Sequence, residues 1–145
     1  ALEFKRAEPT IIPKPVFRTK ETHMLNNKKV LLVDDDPETL DLLERFFIQC
    51  RCGTLRAQSV AQAFGIISNA LALIVTDWDI PHLNGTDLLM MVRHLFPSIP
   101  VIGISGHPPI ETRAVAKKFN GFLNKPFRIK DLKAVVKSVS RIEVY

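Results

Sequence analysis

Five polar residues of the kinds that bind phosphate or a metal ion stand at the ends of short apolar stretches: Asp34, Asp35, Asp77, Ser105 and Lys125. Three carboxylates brought together repel one another, so one should have a raised pKa unless a cation is present. Oxygen ligands without Cys or His favour a hard cation, and Mg²⁺ is the common choice. A carboxylate can also act as a nucleophile and form an aspartyl phosphate.

From residue 29 onward, short apolar runs alternate with segments of helical period. The runs predict strands over 30–33, 54–57, 71–76, 101–105 and 122–124. The intervening segments predict helices over 60–68, 86–96, 110–119 and 129–140. The first helix is predicted to begin at Pro37 and to stop at Gly53, with apolar residues at helical spacing between them: Leu40, Leu42, Leu43, Phe46 and Phe47. Strict alternation predicts an α/β domain with one doubly wound parallel sheet, helices on both faces and right-handed crossovers.

The predicted topology brings the five polar residues together although they are far apart in sequence. In an open parallel sheet the carboxyl ends of all strands lie at the same edge, and ligands bind there at the switch point of strand order. Lys125 would supply a fixed positive charge and Ser105 a hydroxyl donor. A dianionic phosphoryl group complements this set of groups.

The first 28 residues differ from the rest and are predicted to be a partly extended leader or linker, with the domain over 29–145. They contain Pro9, Pro13 and Pro15, and residues 1–29 hold seven Lys/Arg and three Glu. The remainder holds 13 Lys/Arg and 12 Asp/Glu. This near balance argues against direct nucleic-acid binding.

Three features of the sequence indicate the cellular compartment. No apolar stretch is long enough to cross a bilayer, and no signal peptide pattern opens the chain. Two cysteines, Cys50 and Cys52, do not make a disulfide framework. We therefore expect a cytoplasmic domain, either independent or tethered to a membrane sensor in the full-length protein.

Four segments, in this order, resemble the response-regulator receiver domains of two-component signalling, over residues 29–140. The segments are Val30-Leu31-Leu32-Val33-Asp34-Asp35-Asp36-Pro37, Val75-Thr76-Asp77-Trp78-Asp79-Ile80-Pro81-His82-Leu83-Asn84-Gly85, Val101-Ile102-Gly103-Ile104-Ser105-Gly106 and Gly121-Phe122-Leu123-Asn124-Lys125-Pro126-Phe127. The resemblance implies a five-stranded flavodoxin-like (βα)5 fold with strand order 2-1-3-4-5.

The resemblance also implies a metal-assisted phosphoryl transfer. Asp77 would attack the phosphorus of a phosphohistidine on a histidine kinase or a histidine phosphotransfer protein. Asp35 and Asp77 would ligate Mg²⁺ directly, Asp34 through water, and Asp79 through its backbone carbonyl. These residues would promote the transfer mostly by positioning the reacting groups and neutralising their charge.

Further roles follow from the same resemblance. The phosphoryl oxygens would contact Ser105, Lys125 and the backbone N–H groups of Trp78 and Gly106. A cis bond is expected before Pro126. Ser105 and Phe122 match the switch pair: the hydroxyl would move toward the phosphoryl group and the ring would rotate inward behind it. The fourth helix, fifth strand and fifth helix would carry the signal.

The four histidines show neither the spacing of metal ligands nor a helix typical of a phosphate donor. His23, His82, His94 and His107 share no ligand spacing, so each is interpreted as a surface or internally satisfied side chain. Asp79 and His107 do match positions that tune dephosphorylation in receiver domains.

Two alternatives remain at this point. Asp77-Trp78-Asp79 also resembles the nucleophile motif of haloacid-dehalogenase-type phosphatases, although there the nucleophile comes first along the chain and the acid pair last. A receiver-like interaction module that is never phosphorylated is the other. The chain is interpreted as the C-terminal receiver of a hybrid sensor histidine kinase, or else as a free-standing receiver. The downstream effector is not identified by the sequence, and homodimerisation stays open.

Overall fold

The computed structural model describes residues 28–79 and 84–145, with the side chains of residues 109–112 left aside. The predicted leader, apart from Lys28, and residues 80–83 of the second motif lie outside these ranges. Within the described residues, no helix is long and apolar enough to cross a membrane.

Five strands form one parallel sheet in the order β2-β1-β3-β4-β5, which confirms the predicted fold class. Their bounds are β1 Lys29–Val33, β2 Gly53–Ala57, β3 Leu71–Asp77, β4 Val101–Ser105 and β5 Gly121–Asn124. Three of these strands are apolar runs with nearly every residue buried, as expected of central parallel strands: β1, β3 and β4.

The helices of the described residues follow the strands in strict alternation. They are α1 Pro37–Gln49, α2 Val60–Phe64, α3 Gly85–Leu95, α4 Pro109–Ala116 and α5 Ile129–Val139. Side chains separate into two cores, one on each face of the sheet. One core contains Phe47 and Leu132 of α1 and α5, and the other contains Val60 and Leu88 of α2 and α3. The sheet is therefore covered on both faces.

The end of α1 differs from the prediction that Gly53 stops the helix. Arg51 adopts the left-handed conformation with φ 64°, and its N–H donates to the Ile48 carbonyl at 2.8 Å. The Cys52 N–H donates to the Phe47 carbonyl at 3.0 Å. This pair of bonds is a Schellman cap, so the stop comes two residues early and Gly53 begins β2.

Two predicted helices are shorter in the structure than their apolar pattern suggested. The helix predicted over 60–68 ends at Phe64 and is capped by Gly65, although Ile66 and Ile67 still pack against the core. The helix predicted over 110–119 ends at Ala116. The Phe119 N–H then donates to the Ala116 carbonyl, three residues back, at 3.2 Å, so the last turn is tightened rather than α-helical.

Candidate phosphoryl and metal site

The acid pair Asp34 and Asp35 lies where β1 enters the loop before α1. The Asp34 N–H still bonds to the β2 strand, at the Ala57 carbonyl, at 3.1 Å. The Asp34 Oδ1 atom accepts the Asp36 N–H at 2.9 Å, and its residue is only 1% exposed. Asp35 is exposed. One carboxylate of the pair is thus fixed and buried, while its neighbour faces solvent.

Asp36, the third acid of the run, has a different role. Its side chain accepts the Glu38 N–H at 3.1 Å and the Thr39 hydroxyl at 2.8 Å, and it is the N-cap of α1, with Pro37 at the first turn. Capping the helix fixes the direction in which the chain leaves Asp35.

Asp77 is the last residue of β3 and is 6% exposed. Its Oδ1 atom accepts the Asp79 N–H at 3.0 Å. Gly85 lies close to the Asp77 backbone. A Cβ at Gly85 would be 2.7 Å from the Asp77 carbonyl oxygen and 2.9 Å from the Trp78 Cα. The approach is fixed by the Gly85 N–H, which donates to the Trp78 carbonyl at 3.0 Å.

Lys125 joins the two buried carboxylates. It follows β5, and its N–H donates to the Ser105 carbonyl at 2.7 Å. The Lys125 Nζ lies 3.1 Å from Asp34 Oδ2 and 3.3 Å from Asp77 Oδ2. The Lys125–Pro126 peptide bond is cis. One ammonium therefore faces a carboxylate from β1 and another from β3.

The charges at this site are not fully neutralised. Oxygen atoms of Asp34, Asp35 and Asp77 lie within 4.8 Å of one another. Burial and the nearby Asp77 charge raise the pKa of Asp34 to about 6, even though the Asp36 N–H and Lys125 oppose the shift. Burial lowers the pKa of Lys125, but the attraction of Asp77 and Asp34 outweighs burial and the net pKa is raised. The site is therefore short of positive charge.

Ser105 is fully buried at the end of β4 and its hydroxyl is engaged by His107. The His107 N–H donates to Ser105 Oγ at 3.0 Å, and the His107 Nδ1 atom lies 3.4 Å from the same oxygen. His107 also contacts the Trp78 ring edge-on, with centroids 5.3 Å apart, and its Nε2 lies 3.8 Å from Asp79 Oδ2. His107 therefore has partners at the edge of the site, which agrees with its interpretation from sequence as a surface or internally satisfied histidine.

The Trp78 N–H, which was expected to contact the phosphoryl group, donates to the Ile104 carbonyl of β4 at 2.7 Å. Its contact with a phosphoryl group stays a prediction. The indole Nε1 of Trp78 donates to the Thr86 hydroxyl at 3.0 Å. Gly106 is exposed, and nothing lies within 4 Å of its Cβ position, so its backbone is open.

Comparison with known proteins identifies the family. The model of the response regulator receiver domain matches residues 30–137. With the 2-1-3-4-5 sheet and the strand-end acids already in place, the chain belongs to the response regulator receiver domain family of two-component signalling.

Relatives and solved structures agree with this assignment. The chain is 33% identical over 118 residues to the two-component response regulator ARR12 of Arabidopsis thaliana, covering 78% of this chain and 20% of that protein. It is 28% identical over 121 residues to the response regulator protein PilR of Pseudomonas aeruginosa, covering 81% of this chain and 27% of that protein. The chain thus spans about a quarter or less of these relatives.

The fold is also similar to that of solved receiver domains. A CheY-like receiver domain protein from Methanospirillum hungatei is 25% identical, with a TM-score of 0.69, covering 76% of this chain and 90% of that one. A receiver domain protein from Clostridium thermocellum is 24% identical, with a TM-score of 0.66, covering 76% and 91%.

Proposed function

We propose that this protein accepts a phosphoryl group on Asp77 from a phosphohistidine of a histidine kinase or a histidine phosphotransfer protein. Receiver domains as a family are phosphoacceptors, and the proposal assigns the residue. The observation that carries it is the position of Asp77, whose Oδ2 lies 3.3 Å from Lys125 and whose carboxylate joins those of Asp34 and Asp35 within 4.8 Å.

The proposed transfer balances as a displacement at phosphorus. An oxygen of Asp77 attacks the phosphorus, the new O–P bond forms, and the N–P bond of the phosphohistidine breaks with its electron pair left on the imidazole. The product is an acyl phosphate. The Lys125 ammonium, the Ser105 hydroxyl and the Gly106 N–H would bind the phosphoryl oxygens. Ser105 must first leave its hydrogen bonds with His107.

The residues around Asp77 fit a Mg²⁺ ion. The donors are all oxygens, and two buried carboxylates share a single ammonium group. We propose that Asp35 and Asp77 hold the ion directly, the Asp79 carbonyl adds a third protein ligand, and Asp34 acts through water. When bound, the ion would supply the positive charge that this carboxylate cluster lacks.

The signal is proposed to leave through the surface formed by α4, β5 and α5, after the Ser105 hydroxyl has moved toward the phosphoryl group. The two alternatives gain no specific observation from the structure. The acid pair follows the first strand and the nucleophile ends the third, which is the chain order of a receiver and opposite to that of the phosphatases.

Titration with Mg²⁺ and then fluoroberyllate, followed by Trp78 fluorescence, tests the proposal. Trp78 is the single tryptophan of the chain and adjoins Asp77. We expect a saturable change that requires both reagents and is absent in Asp77→Asn. An unresponsive protein would instead support the interaction module, and sustained hydrolysis of phosphomonoesters would revive the phosphatase.

A further inference from the structure

Gly103 in the middle of β4 leaves a recess that the ring of Phe122 fills. The two residues are direct partners in the parallel pairing of β4 with β5, so they lie on the same face of the sheet. A Cβ at position 103 would lie 2.8 Å from two ring carbons of Phe122 and 3.0 Å from a ring carbon of Phe119. The rings of Phe119 and Phe122 pack with centroids 5.5 Å apart. No residue larger than glycine fits while Phe122 stays there.

The recess is next to Ser105, the other member of the switch pair that the family resemblance implies. Residues two apart in a strand point to the same face, so Ser105 follows Gly103 on the face that carries Phe122. Ser105 is in its His107-bonded position, with the Oγ at 3.0 Å from the His107 N–H. Phe122 therefore packs against β4 while Ser105 is still held by His107. The space for the ring comes from the missing side chain at 103 and does not depend on movement of Ser105.

We propose that Gly103 is a positioning residue that holds the Phe122 ring against β4 in the resting protein, so that Ser105 moves on phosphorylation and Phe122 does not. This inference rests on the proposed function, since it concerns the switch at the same site. It differs from the expectation drawn from the family resemblance, in which the ring rotates inward once the hydroxyl has moved. Activation would then begin with Ser105, His107 and the loop that leads into α4.

A double-mutant cycle tests the recess without any phosphodonor. Gly103→Ala should raise the unfolding equilibrium constant about tenfold or more, because an overpacked core is strained. In a Phe122→Ala background, Gly103→Ala should raise the unfolding equilibrium constant by less than about threefold, since the ring is gone. Gly53→Ala is the matched strand control, because its Cβ would have only ordinary contacts at 3.6 and 3.9 Å. An equal effect of Gly103→Ala on the unfolding equilibrium constant in both backgrounds would show that residue 103 does not provide space for the Phe122 ring.

NMR of the unaltered protein tests the consequence, and it remains decisive if Gly103→Ala does not fold. Nuclear Overhauser effects between the Phe122 ring and the Gly103 α-protons should be present both in the free protein and with Mg²⁺ and fluoroberyllate. Their appearance only after fluoroberyllate, or their loss, would refute the proposal. Trp78 fluorescence reports whether fluoroberyllate has bound. If fluoroberyllate does not bind, the proposed function fails. The spectrum of the free protein and the double-mutant cycle still test whether the Phe122 ring occupies the space at Gly103.

Discussion

The Lys125 ammonium lies 3.1 Å from Asp34 Oδ2, so residues 91 positions apart in the chain are joined in one partly buried ion pair. Asp77 shares the same ammonium at 3.3 Å. The chemistry of this receiver domain depends on how that single positive charge is divided between two carboxylates.

Lys125→Met should destabilise the metal-free protein, because it leaves the carboxylates of Asp34 and Asp77 buried without a cation. We expect a loss of about 1–3 kcal/mol in the free energy of unfolding by urea in EDTA. Added Mg²⁺ should restore part of it. Lys130→Met removes an exposed lysine that makes no ion pair with the described residues and should have little effect. Equal losses in the two variants would contradict the shared ion pair.

Asp34→Asn should have the opposite effect in the metal-free protein. A carboxyl whose folded pKa is raised from 3.8 to about 6 destabilises the fold above pH 6, and the penalty vanishes as the pH falls below about 4. Two units correspond to about 3 kcal/mol, a net figure that already includes the Lys125 contact and that solvent screening reduces. We expect about 1 kcal/mol more stability at pH 7.5 and none at pH 4, by urea unfolding in EDTA. Asp35→Asn, an exposed neighbour, is the control. A destabilised Asp34→Asn at pH 7.5 would contradict the account.

Mg²⁺ affinity should depend on pH through the same carboxyl group. Because metal binding requires the ionised form, the affinity should be constant above pH 7 and decrease as the pH falls below about 6. Trp78 fluorescence during Mg²⁺ titration at several pH values measures this. In Asp34→Asn the decrease between pH 7 and pH 5.5 should be weaker. An identical pH profile in the variant would rule Asp34 out as the titrating group.

Gly85→Ala should displace the backbone of the nucleophile, Asp77. The added Cβ would lie 2.7 Å from the Asp77 carbonyl oxygen, a backbone atom that cannot easily move. We expect a loss of about 2 kcal/mol or more in thermal or urea unfolding, together with weaker fluoroberyllate binding. Gly65→Ala, with its nearest contact at 3.6 Å, should be close to neutral. A neutral Gly85→Ala would mean that the backbone around Asp77 is not fixed as described.

The Arg51 cap allows a comparison of two substitutions at one site. Arg51 carries a left-handed backbone, and its guanidinium lies 5.4 Å from the Tyr145 ring centroid. Glycine and alanine both remove the ring contact, but only glycine relieves the backbone. Arg51→Gly should therefore be about 1 kcal/mol more stable than Arg51→Ala in urea unfolding. An Arg51→Ala variant as stable as Arg51→Gly would show that residue 51 is not left-handed in solution.

Sequence patterns predicted the parallel sheet, because apolar runs and strand-end acids depend on local composition and on topology, and the family resemblance supplied the strand order. They did not predict the hydrogen bonds that the loops form at the site. The Trp78 N–H bonds to Ile104, and His107 bonds to Ser105, through loop geometry that no periodicity encodes. The α1 stop was missed because Arg51 is not the residue type that usually adopts a left-handed conformation.

Net charge was also less informative than its distribution. The near balance of the domain combines two unlike regions: residues 30–108 hold four Lys/Arg and nine Asp/Glu, and residues 109–145 hold nine Lys/Arg and three Asp/Glu. The acidic region includes both aspartates of the ion pair, and the basic region supplies Lys125 together with α4, β5 and α5. Averaging over the domain concealed this separation.

The central claim is that Asp77 is the phosphoacceptor, and peptide mass spectrometry after incubation with Mg²⁺ and phosphoramidate tests it directly. Phosphoramidate presents the same N–P bond as a phosphohistidine. We predict one phosphoryl group on the peptide that contains Asp77, no labelling of that peptide in Asp77→Asn, and retained labelling in the matched Asp79→Asn control. Unchanged labelling in Asp77→Asn would contradict the account.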